Sequence, residues 1–173
     1  MRKAAFFDRD GVLNKDIHYL HRPGDVIWVK GAKEGLAHLN QLGYLVIVVT
    51  NQSGVARGYY TEEDVKKLHC WMSQEIAAAG GCITEFYYCP FLEGAADPSY
   101  NKKSDWRKPA PGMVLQAVKE YDLDISQSFL IGDSTSDMEC AKAAGLPGYL
   151  FTGGRLDEFI DSVLEKRNAH ESL

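Results

Sequence analysis

No hydrophobic run in this chain is long enough to cross a bilayer. The longest, Tyr44 to Val49, has the length of a buried strand. Positive charge is in deficit as well: 19 Lys and Arg stand against 24 Asp and Glu, for a net charge of −5. That balance argues against nucleic-acid binding as the main function, though it leaves room for a local basic site. Four cysteines occur, Cys70, Cys82, Cys89 and Cys140, none at C-x-x-C spacing. Free thiols in a cytoplasmic protein are therefore the simplest reading. The absence of a Gly-x-x-x-x-Gly-Lys-Ser/Thr loop gives no support to P-loop nucleotide binding. The basic start Met1-Arg2-Lys3 leads straight into a strand rather than a hydrophobic export segment, so the expectation is a cytoplasmic chain without a membrane partner. No heptad or long apolar stripe suggests self-association, and a monomer is expected.

What the chain does contain is an ordinary globular composition, 45% apolar and 25% charged over 173 residues. One domain spanning 1–173 is expected, large enough for a single core. Residues 3–8 read as a first buried strand, and 12–29 as a loop or small hairpin over its tip, with a turn at Pro23-Gly24-Asp25. Leu36, Leu39 and Leu42 recur at helical spacing within 31–42, and Gly43 suits that helix's end. A strand over 44–49 follows. Thr61-Glu62-Glu63-Asp64 resembles an N-terminal cap and opens a helix to about Ala79. Further strands are expected at 83–88, 128–132 and 149–151, with helices over 112–121, through Ala144 and over 156–166. Residues 89–108 lack periodicity, and a loop that long in a compact domain is usually functional or mobile. Alternating strands and helices give an α/β fold, a parallel sheet flanked by helices on both faces.

The polar residues that carry chemistry cluster at the expected strand ends. Asp8 and Asp10 lie two residues apart, sharing a face at the C-terminal tip of the first strand, where open α/β sheets bind ligands. Paired carboxylates favour a cation or a shared proton, and can divide labour between nucleophile and proton donor. Other tips supply Thr50 and Asn51, the latter a substrate-binding candidate, then Arg107 and Lys108, then Asp133 and Asp137. Three carboxylates, Asp8, Asp10 and Asp133, could meet a hard cation, and Mg²⁺ is the expected one. Thr50 could donate to a phosphoryl oxygen while Lys108 and the cation offset its charge.

These residues resemble the four ordered motifs of the haloacid dehalogenase (HAD) superfamily: D-x-D-G at 8–11, Thr50 after a strand, Lys108 before a helix, and G-D-x-x-x-D at 132–137. The resemblance implies a Rossmann-like core and an Mg²⁺-dependent phosphatase. In it Asp8 attacks phosphorus, Asp10 serves as acid and then base, and Thr50 and Lys108 hold the transferring group. Asp133 binds the metal with Asp8 and the Asp10 carbonyl, and Asp137 supports Lys108 or the metal shell. F-D-R-D-G-V-L-N, T-N-Q-S-G-V-A-R-G at 50–58 and R-K-P-x-P-G-M at 107–113 look like the branch containing D-glycero-D-manno-heptose 1,7-bisphosphate phosphatases and histidinol-phosphate phosphatases. That branch has no large cap domain. Arg57 and Arg107 match positions that grip the phosphate left uncleaved in the heptose enzymes, a task suited to guanidinium forks. They favour a small-molecule heptose bisphosphate as substrate, losing its 7-phosphate. Histidinol phosphate is the enzymatic rival, and a phospho-ligand-binding module with weak turnover is the reading from a different class.

Relatives in this branch bind structural zinc through Cys-x-His and Cys-x-Cys pairs. Here those stretches read Cys89-Pro90-Phe91 and Ser104-Asp105-Trp106. One thiol cannot close a tetrahedral site, so zinc is not expected, and Phe91, Leu92, Tyr100 and Trp106 either pack the loop or face a substrate or partner. His18-x-x-His21 reads as a solvated loop rather than a metal pair. His69 and Cys70 read as packing or surface residues, Lys66-Lys67 as a solvated helix face, and Gly153-Gly154-Arg155 as a turn.

Overall fold

The computed structural model describes residues 1–171. Its framework is a five-stranded, wholly parallel sheet in the order β3-β2-β1-β4-β5. The strands are β1 (Ala4–Phe7), β2 (Leu45–Asn51), β3 (Glu85–Cys89), β4 (Phe129–Gly132) and β5 (Gly148–Leu150). The helices are α1 (Ala32–Gln41), α2 (Glu62–Ala78), α3 (Gly112–Tyr121), α4 (Thr135–Ala144) and α5 (Leu156–Glu171). The expected α/β architecture is present, and no large cap domain is evident among the described residues.

Side chains alternate across a strand, so each strand contributes to two cores. Ala5, Phe7, Val46, Val48, Phe129 and Ile131 pack against α1, α5 and Ile76 of α2. Ala4, Phe6, Ile47, Val49 and Leu130 face the other way, onto α3 and α4. Burial on both faces is why β1 and β4 read as continuous apolar runs rather than alternating ones. Phe7 pairs with Val48 and Ile131, and the Asp8 amide still donates to the Ile131 carbonyl at 3.1 Å. Asp8 is thus the first residue past the apolar row, fixed by the sheet although it stands outside it. Chain order reverses between β1 and β4, the switch point where such sheets open a crevice.

The boundaries differ from expectation in instructive places. β2 runs on through Thr50 and Asn51, because these pair with Tyr88 and Cys89 of β3. β3 itself is shifted to 85–89 by the same register. α5 continues to Glu171 beyond the expected 166, and Arg167 explains part of that extension. It is only 9% exposed and lies over the Phe129 ring at 5.0 Å, so a charged residue serves as packing surface. Thr61 caps α2 through a reciprocal capping box with Asp64. Residues 12–29 form the small hairpin considered, held by Lys15 N to Ile27 O at 2.8 Å and Val29 N to Leu13 O at 2.9 Å. No helix among the described residues is long and apolar enough to cross a membrane.

Candidate active site

The C-terminal tips of the strands open on a cavity of about 330 Å³ lined by Asp8, Asp10, Thr50, Asn51, Lys108, Asp133 and Asp137, among others. At its floor Lys108 is only 4% exposed and spends all three ammonium protons. Its Nζ donates to the Val49 carbonyl at 2.9 Å and to Asp137 Oδ1 at 2.7 Å, and lies 3.0 Å from Asp8 Oδ1. That oxygen of Asp8 also accepts from the Arg9 amide at 2.8 Å. The ammonium is therefore pinned to the nucleophile candidate instead of swinging on its stem.

Charge at this floor does not balance. Burial opposes the charge of Lys108, but Asp8 and Asp137 outweigh burial and raise its pKa. Burial likewise pushes Asp137 up, yet Lys108 and the Ser134 and Asp133 hydrogen bonds prevail and hold its carboxyl below the usual range. Asp8 goes the other way. Burial, aided by Asp137 and Asp10, overcomes Lys108 and raises its carboxyl well above the ordinary value. Asp133 is also raised, by burial first and with Asp137 contributing. One ammonium thus faces more carboxylates than it can neutralise, and Asp137 is the one it satisfies.

Carboxylate oxygens of Asp8, Asp133 and Asp137 lie within 4.8 Å of one another. An all-oxygen, negatively charged donor set of this kind fits a hard divalent cation. Asp137 has little left to offer, since its Oδ2 accepts from the Asp133 amide at 3.0 Å and from Ser134 Oγ at 2.9 Å. Asp8 and Asp133 remain as the side chains best able to hold the cation. Two glycines make their approach feasible. A Cβ on Gly11, whose φ is +89°, would sit 1.9 Å from Asp133 Oδ2, and one on Gly132 would sit 2.3 Å from the Asp137 Cβ. His18 and His21 are not part of this group.

The Asp10 carboxylate, expected with Asp8 and Asp133, is not part of that group, and Asp137 takes its place there; Asp10 instead accepts from a set of donors. Arg9 grips it through Nε and Nη2, each at 3.0 Å. Asn14 Nδ2 adds a bond at 3.0 Å and Gln52 Nε2 one at 3.2 Å. Gln52 also donates to Thr50 Oγ1 at 2.9 Å and is itself fixed by the Tyr60 hydroxyl at 2.5 Å. Burial raises that Tyr60 hydroxyl to about 12, so it remains a donor at neutral pH. The bond from Gln52 uses an acceptor position of Thr50 and leaves the hydroxyl proton for a ligand oxygen. Asn51 lines the cavity, but its amide is committed to the Lys108 backbone, accepting from N at 2.9 Å and donating to O at 3.1 Å. It positions Lys108.

The two arginines do not line the same cavity. Arg57 is exposed at the rim, with its Cζ 5.9 Å from the centre of the Tyr19 ring. Arg107 lines a neighbouring pocket with Lys102 and Lys103, and its Nη1 is buried with no partner among the described residues. His18 and Tyr19 also line the main cavity, and both adopt left-handed backbone conformations, φ 60° and 57°. For side chains of this size that is strained and marks a constrained loop. The sequence gives no local signal for Tyr19 or Tyr60, whereas Gln52 lies within the 50–58 motif, although its role there shows only in the fold.

The 89–108 loop is held without thiol clusters. Glu62 at the start of α2 accepts from the Tyr88 and Tyr100 hydroxyls, both at 2.8 Å. Phe91 packs on Tyr100, and Trp106 on Tyr87. Of the aromatics expected to pack the loop, Phe91, Tyr100 and Trp106 do so. Cys89 is fully buried in the core of the α3 face.

Comparison with known proteins finds relatives over most of the chain. A HAD-hydrolase-like family model matches residues 105–169. The chain is 46% identical over 164 residues to a D-glycero-beta-D-manno-heptose-1,7-bisphosphate 7-phosphatase of Rhodopseudomonas palustris, covering 94% of this chain and 91% of that one. It is 41% identical over 145 residues to a D-glycero-alpha-D-manno-heptose-1,7-bisphosphate 7-phosphatase of Photorhabdus laumondii, covering 84% of this chain and 79% of the relative. Among solved structures, the D,D-heptose 1,7-bisphosphate phosphatase of B. bronchiseptica, complexed with magnesium and phosphate, superposes with a TM-score of 0.81 at 28% identity, covering 95% and 99% of the two chains.

Proposed function

The chain belongs to the HAD phosphatases, in the branch of the heptose-bisphosphate enzymes, and from that premise we propose that it is an Mg²⁺-dependent phosphatase that removes the 7-phosphate of D-glycero-D-manno-heptose 1,7-bisphosphate. The observation that carries this reading is Lys108, pinned between Asp8 and Asp137 at the floor of a cavity shared with Thr50, Asp10 and Asp133. Such an arrangement has little use in a passive binding module.

In the proposed reaction an oxygen of Asp8 attacks phosphorus and the bond to the sugar oxygen breaks. The sugar oxygen keeps the electron pair and takes a proton from Asp10. Thr50 donates to the phosphoryl oxygens, and the Lys108 ammonium beside them offsets the charge that moves onto them. Asp10 then removes a proton from water, which attacks phosphorus and frees Asp8 with release of phosphate. Mg²⁺, held by Asp8, Asp133 and the Asp10 carbonyl, would neutralise phosphoryl charge when bound. Asp137 keeps Lys108 charged and in place, and Asn51 fixes its backbone. Arg57 at the rim and Arg107 in the neighbouring pocket are proposed to recognise the phosphate that is not cleaved. The same reading has a single-domain cytoplasmic monomer acting on a soluble sugar phosphate, away from nucleic acid and membrane, with no need of zinc.

Phosphate release in Mg²⁺ from both anomers of the heptose bisphosphate, histidinol phosphate and simple hexose phosphates tests it. The expected result is the highest kcat/KM on one heptose anomer, with heptose 1-phosphate as product. Preference for histidinol phosphate would instead assign the chain to that branch of the family.

A further inference from the structure

Arg9 stands between the two motif aspartates, where an exposed cation would be expected, yet it is 0% exposed. Its guanidinium makes the two bonds to Asp10 described above, donates from Nη2 to the Leu20 carbonyl at 3.0 Å, and meets His69 Nε2 through Nη1 at 3.1 Å. His69 comes from α2, sixty residues further along, and is 5% exposed. Its ring stacks on Phe86 of β3 with centroids 4.2 Å apart and planes at 14°. Because a guanidinium can only donate, Nε2 must accept, which places the imidazole proton on Nδ1. Burial first, and the Arg9 charge second, hold the His69 pKa well below its ordinary value, so the ring is a neutral acceptor at working pH.

A buried arginine with a buried histidine behind it costs more than apolar side chains of the same volume would. What the arrangement produces is a fixed orientation of one carboxylate. With Phe86 fixing His69 and His69 fixing the guanidinium plane, the fork sets the rotation of the Asp10 carboxylate about its own axis. Asn14 and Gln52 bind the same two oxygens, but each is a single bond that would tolerate rotation. A lysine in place of Arg9 could supply the charge without the fork.

We propose that Arg9 and His69 are positioning residues that orient Asp10 for proton exchange with the leaving group and with water. The proposal rests on the phosphatase reading and on the acid–base role of Asp10, and is independent of which sugar phosphate is the substrate. Both residues are buried behind Asp10, so the effect should fall on the transfer step, read as kcat/KM, and scale with how much the leaving oxygen needs a proton. An alkyl phosphate expels a strongly basic alkoxide and depends on the acid. p-Nitrophenyl phosphate expels a weakly basic phenolate and depends on it little.

The test compares wild type with Arg9→Lys, His69→Phe and His69→Gln on p-nitrophenyl phosphate and on the alkyl phosphate that wild type turns over best. His69→Phe keeps a ring against Phe86 but removes the acceptor. His69→Gln keeps an acceptor within reach of the guanidinium. Arg9→Lys and His69→Phe should lower kcat/KM on the alkyl ester, which reports transfer to Asp8 and not the water step that both esters share, about 100-fold, the low end of general acid–base contributions. On p-nitrophenyl phosphate the loss should be several times smaller, and His69→Gln should recover most of the alkyl-ester rate. A merely structural role would lower both esters alike. Equal losses on the two esters, or His69→Phe at the wild-type rate, would overturn the proposal. Should Arg9→Lys fail to fold, the Phe and Gln variants at His69 carry the comparison alone. A mistaken substrate assignment would show in the wild-type preference and leave the ratio between the two esters within each variant intact.

Discussion

Asp8 and Lys108 are the residues on which the chemistry turns, and they fail differently when replaced. Asp8→Asn keeps the shape and a hydrogen-bond acceptor for Lys108 but lacks the nucleophile. Turnover should fall by about 10⁴-fold or more, while binding of the phosphorylated sugar, read by calorimetry, survives. Lys108→Ala removes activity and stability together. It leaves Asp137, which is only 1% exposed, without its cation, and breaking a buried pair in this way costs about 3–5 kcal/mol. Urea unfolding of the variant checks that figure. His69 supplies a pH signature of its own. Its folded-state pKa is depressed, so below about pH 6.5 the unfolded chain takes up a proton that the folded chain refuses. Stability should therefore decline as pH falls from about 6.5, by up to about 1.4 kcal/mol per pH unit from this group. The His69→Gln variant should lose that part of the slope, which unfolding curves at pH 5 and pH 7 would reveal. These residues were unequally legible. Asp8, Lys108 and Asp133 sit in local motifs at strand ends, whereas the Arg9–His69 contact spans sixty positions and places two polar residues where solvent would be assumed.

At the scale of elements, α2 connects two regions that look unrelated in the sequence. Its first residue, Glu62, receives both tyrosine hydroxyls of the 88–100 region, and His69 two turns later supports Arg9. Glu62→Ala should free the 89–108 loop. Trypsin should then cut at the exposed Lys102 or Lys103 faster than in wild type, with α2 itself intact by circular dichroism. An unchanged cleavage rate would mean that the aromatic contacts suffice. Element identity was readable from periodicity throughout, since α1 and β2 carry unbroken apolar patterns. Ends were harder. β2 continues through polar Thr50 and Asn51 because β3 offers backbone partners, and α5 continues because Arg167 packs on Phe129. Both extensions depend on tertiary contacts that local pattern does not encode.

For the whole molecule, the sheet order and the surplus of carboxylate at the β1–β4 crevice have one thermodynamic consequence. The raised pKa values of Asp8 and Asp133 mean that the metal-free fold holds protons more tightly there than the unfolded chain does. Their crowding weakens the metal-free fold as pH rises through those values, and a cation relieves it. Mg²⁺ should therefore raise the melting temperature at pH 7, by about 2.7 kcal/mol of stability at one hundred times its dissociation constant. EDTA should reverse the gain, and Asp133→Asn should abolish most of it. The parallel α/β architecture was legible, and so were Asp8 and Asp133 at strand ends, but the expected third carboxylate was Asp10 and the fold brings Asp137 there instead. At the rim Arg57 was marked by the resemblance, but its contact with Tyr19, and that of Tyr19 with Tyr59, form only on folding.

The most direct test is phosphate release from D-glycero-D-manno-heptose 1,7-bisphosphate in Mg²⁺ by wild type and Asp8→Asn side by side. One equivalent of phosphate per sugar, heptose 1-phosphate as the remaining product, and no release by the variant are the results expected. Equal release by both proteins would contradict the account, because the phosphoryl group would then be leaving without passing through Asp8.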